Sequence, residues 1–389
     1  MVSIDNFYWI LYENLLKPSN LNYRYYYPWG TQEIYYNYFD TLKDKAVSPL
    51  NHFVLFHYDQ EPLWTEDLGK AHDEKQCSEW SIMKYLKIFA NSECSKIKKD
   101  LCKNRCMLDW YYFYHGFAAL YWFQDAEYLQ VDDEITNPYQ SLNHLVNHYR
   151  SYRMSLMARL IEANVVDNGL ISFHANRNDI LKALEDPYTL LSPASQTLIS
   201  DNMTNINDFP WKIDMSVNGD FSAKFDFEKY ALWQSSLIHV VTETVFYHSK
   251  LHLTEKIFKP IVAQRPFLLV SAPGNLAYLR RYGFQTFDHW IDESYDDIVD
   301  PDQRLDAIAK EIAKFARMPL SQLKSIHEEM RSVLRFNKQH FFGDFRRIIV
   351  DELVNNFDQC LRIWNNGRVD DRQIPLLKDL ESVKKILMA

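Results

Sequence analysis

Three short segments decide the fold of this sequence: LIHVVTE at residues 237–243, LTEKIF at 253–258 and RPFLLV at 265–270. The first and third segments are apolar runs of strand length, and Thr254 in the second is of a type that commonly caps helices. Strand, helix and strand joined by short connections predict a parallel sheet covered by helices. Ligands bind at the carboxyl ends of the strands in such sheets, which points to Glu243 and its surroundings.

Similar patterns continue outward from these segments. Apolar runs predict further strands at 52–57, 84–92 and 170–174. The segment 142–166 is expected to be mostly helical, with its stop at Asn168-Gly169, and a helix follows Gly274. The pair Asn137-Pro138 interrupts the pattern, so a second unit is expected to begin near Tyr139.

Composition excludes several classes of protein. The chain has 389 residues, of which 47% are hydrophobic and 24% charged, with only 9 glycines, so it is an ordinary globular chain rather than a disordered or fibrous one. The net charge of −9 gives no overall basic field for nucleic acid. No signal peptide and no membrane-spanning run is recognised, and five cysteines do not form a disulfide framework. A cytoplasmic location is expected, which for a viral protein means the host cytoplasm.

Two clusters contain residue types that bind metals. Cys102 and Cys106 share a face if their segment is helical, but no second Cys or His pair lies at zinc-site spacing, so a buried apolar face is favoured. The pair Asp132-Asp133 fits either half of a metal-bound sugar-nucleotide site or a solvated turn before Asn137-Pro138, and the turn is favoured. No metal is therefore predicted.

The segment 254–256 has the side chains that a nucleotide requires. Glycine-rich phosphate loops are missing from the sequence, which argues against dehydrogenase and P-loop folds, but side chains and a helix N-terminus can also hold a nucleotide. Thr254 can cap the helix, Glu255 can accept hydrogen bonds from a ribose diol, and Lys256 can neutralise a diphosphate. The alternative is a Thr-Glu pair that merely opens a helix.

In this order, the three opening segments resemble the donor-binding signature of glycosyltransferase family 10, which contains the α-1,3/1,4-fucosyltransferases. The resemblance covers about 45 residues and implies an α/β fold with two Rossmann-like domains in the GT-B arrangement. It also implies a nucleotide-sugar co-substrate with no further cofactor. The whole chain, including 59–62 and 110–119, is also similar to glycosyltransferases of tailed phages.

Two further segments match the family's pattern. Arg150 and Arg153 look like its basic stretch and become candidates for the donor diphosphate, because a guanidinium fork matches phosphate oxygens; the alternative is a pair on a helix surface. Glu61, before Pro62, looks like the family's acidic loop. By that match Glu61 is the general base that deprotonates the acceptor hydroxyl, with Asp59 in reserve; the alternative is a polar loop with a turn-forming Asp59.

The resemblance implies a domain organisation and a reaction. Residues 1–138 are expected to bind the acceptor, 139–345 the nucleotide-sugar, and the helices in 346–389 to pack back on the first domain. The sugar is transferred with inversion to a hydroxyl of a glycan, without a metal. Arg150, Arg153 and Lys256 stabilise the leaving diphosphate, Glu255 holds the ribose, and Glu243 contacts the donor sugar.

Two alternatives stay open. The first is a phage-type enzyme that glycosylates 5-hydroxymethylated cytosine in DNA. Residues 310–350 carry nine Lys and Arg against four Asp and Glu, a net +5, and aromatics at 110–112 could stack on bases. The second alternative is a carbohydrate- or protein-binding module that has kept the fold without the catalysis.

Overall fold

The computed structural model describes residues 7, 10–16, 22–26, 52–58, 86–92, 108–129, 134–143, 150–173, 177–187, 189–207, 233–248, 250–366 and 379–388. The chain divides into two units, Met1–Tyr121 with Arg346–Ala389, and Trp122–Phe345. The sequence-based boundaries were 138 and 345. The assignment of the acceptor to the first unit and of the donor to the second stays a prediction.

The first unit contains a four-stranded parallel sheet with the order β1-β2-β3-β4. Its strands are β1 (Asn22–Tyr26), β2 (His52–Tyr58), β3 (Leu86–Asn91) and β4 (Leu108–Tyr111). Among the described strands of this sheet, each pairs with the next along the chain, so the order does not reverse.

Helices complete the first unit. Helix α1 (Tyr114–Trp122) follows β4, and the last two helices of the chain are labelled below as α10 (Arg346–Asn366) and α11 (Leu380–Met388). Helix α10 packs on β4: Trp110 Nε1 donates to Leu353 O at 3.1 Å, and the Trp110 and Phe357 rings lie 4.7 Å apart. A buried indole needs such a partner, so this bond fixes the helix against the strand.

The second unit contains a parallel sheet with the order β6-β5-β7-β8. Its strands are β5 (Asn137–Asn143), β6 (Leu170–Phe173), β7 (Ser236–Thr242) and β8 (Phe267–Val270). Every residue of β7 and β8 is buried, as expected for strands inside a parallel sheet with both faces covered.

The helices of the second unit lie between and after these strands. They are α2 (Tyr152–Glu162), α3 (Arg177–Glu185), α4 (Pro193–Asp201), α5 (Met203–Asn207), α6 (Phe258–Val262), α7 (Asn275–Arg281), α8 (Pro301–Ala316) and α9 (Leu320–His340). Asp300 caps α8 by accepting from Gln303 N at 2.8 Å, and the apolar side of α8 is buried.

These elements confirm the predicted α/β class with parallel sheets. Strands β2, β3, β6, β7 and β8 lie at the predicted segments. Leu305, Ile308 and Ile312 stand at helical spacing in the sequence and are buried on one side of α8. Within the part of the chain that the structure describes, no helix combines the length and hydropathy needed to cross a membrane.

The prediction of helix from residue 142 is wrong at its start, because 137–143 forms the inner strand β5. Its sequence NPYQSLN lacks an apolar run, and its burial relies on paired polar groups: the Gln140 amide lies 2.8 Å from His239 Nε2. The predicted stop at Asn168-Gly169 is the end of a 3₁₀ turn, Val166–Asn168, with Gly169 as its C-cap, whereas the α-helix before this turn ends earlier. Helix α2 ends at Glu162, and Asn164 follows with φ of 52°, a left-handed conformation that terminates helices.

Candidate functional site

The order of the second sheet reverses at one place. From β5 the chain passes through α2 to β6 on one side, and it later returns to place β7 on the other side. The carboxyl ends of β5 and β7 therefore face a crevice between connections that run in opposite directions, which is where ligands bind in open α/β sheets. The described strands of the first sheet have no such reversal.

Glu243 directly follows β7 at this edge. Its side chain is fully buried, and its backbone N–H donates to Val270 O at 3.0 Å, which continues the β7–β8 ladder by one residue. The carboxylate accepts two hydrogen bonds from a single residue: Thr254 N donates to Oε1 at 3.1 Å and Thr254 Oγ1 donates to Oε2 at 2.6 Å. Glu243 thus connects the end of β7 by hydrogen bonds to Thr254, where the next helical segment begins.

The segment 254–256 forms a capped turn, as predicted. Thr254 is the N-cap of a 3₁₀ turn, Glu255–Ile257, which leads into α6. Lys256 Nζ donates to Thr254 Oγ1 at 3.1 Å and to Glu255 Oε1 at 2.9 Å. The side chain of Lys256 is 20% exposed and that of Glu255 is 7% exposed, so Lys256 presents the more accessible charge.

The start of α2 meets the same edge. Arg153 Nη2 donates to Thr242 O at 2.9 Å, the hydroxyl of Tyr152 donates to Glu243 O, and Ser151 Oγ lies 3.0 Å from the Tyr247 hydroxyl. Arg150 precedes the helix and is half-buried. Two segments about 90 residues apart in the sequence, 150–153 and 242–247, are therefore joined by hydrogen bonds.

Burial governs the charge of Glu243. Desolvation raises the pKa of its carboxyl, while the Lys256 ammonium and the hydrogen bonds from Thr254 act in the opposite direction. The net result is a pKa above the ordinary value for a glutamate, because the desolvation outweighs the nearby cation and the hydrogen bonds.

The neighbouring helix N-terminus is already occupied by a carboxylate. Asp296 Oδ2 accepts from Leu276 N at 3.0 Å and from Ala277 N at 3.4 Å at the start of α7. These are the N–H groups that would otherwise attract an anion.

The structure brings most of the predicted donor residues together. Arg150, Arg153, Glu243 and the segment 254–256 all lie at the reversal point. Arg153 is 1% exposed and bonds to a backbone carbonyl, and Glu243 is bonded to Thr254 rather than open to a sugar. Their direct contacts with a donor stay predictions.

Other predicted residues lie outside the described part of the chain. They are Asp59, Glu61, Cys102, Cys106, Asp132 and Asp133. Among the residues that the structure describes, no three His, Cys, Asp or Glu side chains converge as metal ligands.

Sequence reasoning missed Tyr152, whose hydroxyl joins α2 to Glu243. The signal was present, because Tyr152 stands between the two arginines of the basic stretch. From the sequence alone, a tyrosine at this position is interpreted as an apolar helix residue, because the strand that lies opposite it is not known.

The structure corrects the suggestion that aromatics at 110–112 stack on bases. Trp110 and Tyr112 are 1% and 0% exposed, inside the first unit. Several cations of the 310–350 stretch also donate within the second unit. These are Lys314 to Trp290 O, Arg317 to Ala163 O, Lys338 to Leu129 O, and Arg331 to Glu328.

No family profile matches this sequence, and no curated protein matches it either. Membership in glycosyltransferase family 10 or in the phage group therefore stays a prediction.

The solved structures that are similar to the chain include the following two. One is the DNA modifying enzyme beta-glucosyltransferase, solved in the presence and absence of the substrate uridine diphosphoglucose. The TM-score is 0.37 at 9% identity, over 80% of this chain and 73% of that one. The other is a TarM mutant of S. aureus in complex with Fondaparinux, alpha-GlcNAc-glycerol and UDP, with a TM-score of 0.38 at 6% identity. This match covers 83% of this chain, which spans 58% of the TarM chain. Neither match assigns a residue or a substrate to this protein.

Proposed function

We propose that this protein is an inverting glycosyltransferase with the GT-B arrangement, and that its second unit binds the nucleotide-sugar donor. The observation that carries the proposal is the meeting of segments 150–153, 242–247 and 254–256 where the sheet order reverses. Nucleotides bind at such reversal points in α/β proteins. A lysine and an arginine stand there, as a diphosphate requires.

Each donor residue has a role in this proposal. Lys256 and Arg150 neutralise the charge that builds on the diphosphate as it leaves, and Glu255 accepts hydrogen bonds from the ribose diol. Arg153 fixes the end of β7 through Thr242 O. With cations in these places, the leaving group is stabilised by side chains, and the nucleotide-sugar is a co-substrate rather than a resident cofactor.

The transfer step uses a base from the first unit. An acceptor hydroxyl loses its proton to Glu61, with Asp59 in reserve, while its oxygen forms a bond to the anomeric carbon. The bond from that carbon to the diphosphate oxygen breaks at the same time, and the nucleoside diphosphate leaves with the electron pair. A glycan is the proposed acceptor, and the resemblance to family 10 makes a fucose-type donor the first to test.

The donor site is tested by nucleotide binding. Thermal shifts are measured with GDP, UDP, ADP and CMP on the wild type, on Lys256→Ala and on Lys310→Ala, an exposed lysine of α8 that serves as the charge control. A ligand at 100 times its dissociation constant adds about 2.7 kcal/mol of stability. We expect one nucleotide to stabilise the wild type and Lys310→Ala but not Lys256→Ala. No shift with any nucleotide would remove the assignment.

Catalysis is tested separately from binding. Glu61→Gln is expected to abolish sugar transfer and donor hydrolysis while keeping nucleotide affinity, because the base acts on the acceptor proton. A binding module would show no turnover in either form. Strongly salt-dependent binding of duplex DNA would instead favour hydroxymethylated DNA as the acceptor.

A further inference from the structure

The two oxygens of Glu243 are both used, and neither is open to a ligand. The residue is 0% exposed, and Thr254 supplies both the N–H and the O–H that reach the carboxylate. Because the carboxylate is completely buried, a sugar does not reach it in this arrangement. Its influence on a bound donor must pass through Thr254.

The Thr254 hydroxyl donates one hydrogen bond, to Glu243, and accepts hydrogen bonds from Lys256. A threonine hydroxyl has a single proton, and here that proton goes to Glu243 Oε2. The lone pairs of the same oxygen are then left to accept from Lys256 N at 3.4 Å and from Lys256 Nζ at 3.1 Å. The carboxylate therefore orients the hydroxyl so that it receives the ammonium group.

We infer that Glu243 is a positioning residue, which holds the Thr254 hydroxyl and, through it, the Lys256 ammonium in the place where the donor diphosphate binds. This inference rests on the proposed function of the site. It replaces a direct contact between Glu243 and the donor with an indirect one, and it makes the buried carboxylate a determinant of diphosphate affinity.

A glutamine at this position breaks the arrangement without changing its size. Its amide nitrogen is a donor, so it must face either Thr254 N or Thr254 Oγ1, and both of these are donors to Glu243. If the amide faces the hydroxyl, the hydroxyl becomes an acceptor and its proton turns towards Lys256, which has no lone pair to offer. Lys256 Nζ then loses the anchor at Thr254.

The second unit contains a matched control carboxylate. Glu293 is 7% exposed, accepts from Phe287 N at 2.6 Å and from Thr286 Oγ1 at 2.8 Å, and pairs with Arg280 at 3.1 Å. It resembles Glu243 in burial and in its threonine and backbone partners. Glu293→Gln is therefore expected to cost stability without changing nucleotide affinity.

The test is a double-mutant cycle read by isothermal titration calorimetry. The probes are UDP, GDP and ADP, with inorganic diphosphate as the probe that lacks a base. We expect Lys256→Ala and Glu243→Gln each to weaken binding about tenfold, since a charge-assisted hydrogen bond is worth about that much. The double variant should bind within about twofold of Lys256→Ala alone, because Glu243 acts only through Lys256.

Two variants of Thr254 distinguish the loss of the hydroxyl's positioning role from a general loss of folding stability. Thr254→Ser keeps the hydroxyl and is expected to bind as the wild type does. Thr254→Val removes the hydroxyl at similar size and is expected to weaken binding as Glu243→Gln does, which also covers the case in which Glu243→Gln fails to fold.

Three results would overturn the inference. They are wild-type affinity in Glu243→Gln, a loss in the double variant equal to the product of the single losses, and an equal loss of affinity in Glu293→Gln. Failure of every probe to bind the wild type would remove the proposed function as well. Weakening by Lys256→Ala but not by Glu243→Gln would remove this inference alone.

Discussion

The hydroxyl of Tyr152 offers the sharpest test of how α2 is joined to the candidate site. Tyr152 is fully buried, its ring stacks on Phe246 at 4.4 Å, and its hydroxyl donates to Glu243 O. Tyr152→Phe keeps the ring and its stacking and removes the hydroxyl, which also accepts a long hydrogen bond from Arg153 Nε at 3.4 Å. The Glu243 carbonyl is then buried without this hydrogen bond.

The cost follows from that single loss. A buried acceptor that loses its donor costs about 1–3 kcal/mol. In a domain of about 150–250 residues, 1 kcal/mol moves the melting temperature by about 2–4 °C, so a decrease of roughly 2–12 °C is expected. Because the Glu243 backbone loses its support, nucleotide affinity should also fall by about fivefold, which corresponds to ~1 kcal/mol.

A second tyrosine of the same unit provides the control. Tyr139 of β5 is also fully buried, and its hydroxyl donates to Val165 O at 2.9 Å, away from residues 242–256. Tyr139→Phe removes the same kind of bond and is expected to lower the melting temperature by a similar amount while leaving nucleotide affinity unchanged. Calorimetric melting and nucleotide titration are measured on both variants. The reasoning is refuted if Tyr152→Phe melts as the wild type does, or if both variants lose affinity equally.

Three further predictions concern the framework. Gly169→Ala would place a Cβ 2.4 Å from the Tyr139 ring, so overpacking should cost about 1–3 kcal/mol in urea unfolding. Burial lowers the pKa of His239 from 6.5 in the unfolded chain to about 3 in the folded protein. The contribution of the neutral His239 to the free energy of unfolding is therefore complete above pH 6.5 and is lost as the pH falls towards 3. The free energy of unfolding of the wild type, measured with urea, should fall by about 2 kcal/mol between pH 7 and pH 5. That of His239→Gln should fall by less over the same range. Trp110→Phe removes the bond to Leu353 O, so the first unit should lose about 1–3 kcal/mol, measured by the loss of near-ultraviolet circular dichroism on heating.

The sequence was sufficient for most of the strands of the second sheet. Strands β7 and β8 are apolar runs without polar interruptions, because parallel strands are buried on both faces, and such runs are visible in any window of the sequence. Strand β5 was not predicted, because its buried side chains include polar groups that are paired by hydrogen bonds rather than a run of apolar residues. Gln140 is 2% exposed yet reaches His239, a partner that no local pattern reveals.

The candidate site was predictable in its residue types and not in their roles. The Thr-Glu-Lys turn identified the capping residue and the accessible cation, because both are local properties of a helix start. The resemblance implied donor contacts for Glu243 and Arg153, and residue type gave no sign of their burial, because charged residues are seldom buried. Their burial depends on contacts across about 90 residues of sequence, which a local pattern does not encode.

The way in which the site is joined explains why single atoms should matter there. Segments 150–153, 242–247 and 254–256 are connected by hydrogen bonds from buried donors to backbone or carboxylate oxygens, in addition to the stacking of Tyr152 on Phe246. Apolar contacts tolerate small shifts, whereas a buried hydrogen bond weakens steeply with distance and angle, and its loss leaves a polar atom without water. If Lys256 binds a diphosphate as proposed, the affinity should depend on how β7 and α2 are held together through Thr254, Glu243 and Tyr152. Conservative changes such as Glu243→Gln and Tyr152→Phe, which preserve volume and remove a single hydrogen-bonding function, should consequently affect nucleotide binding more than the loss of an exposed charge such as Lys310.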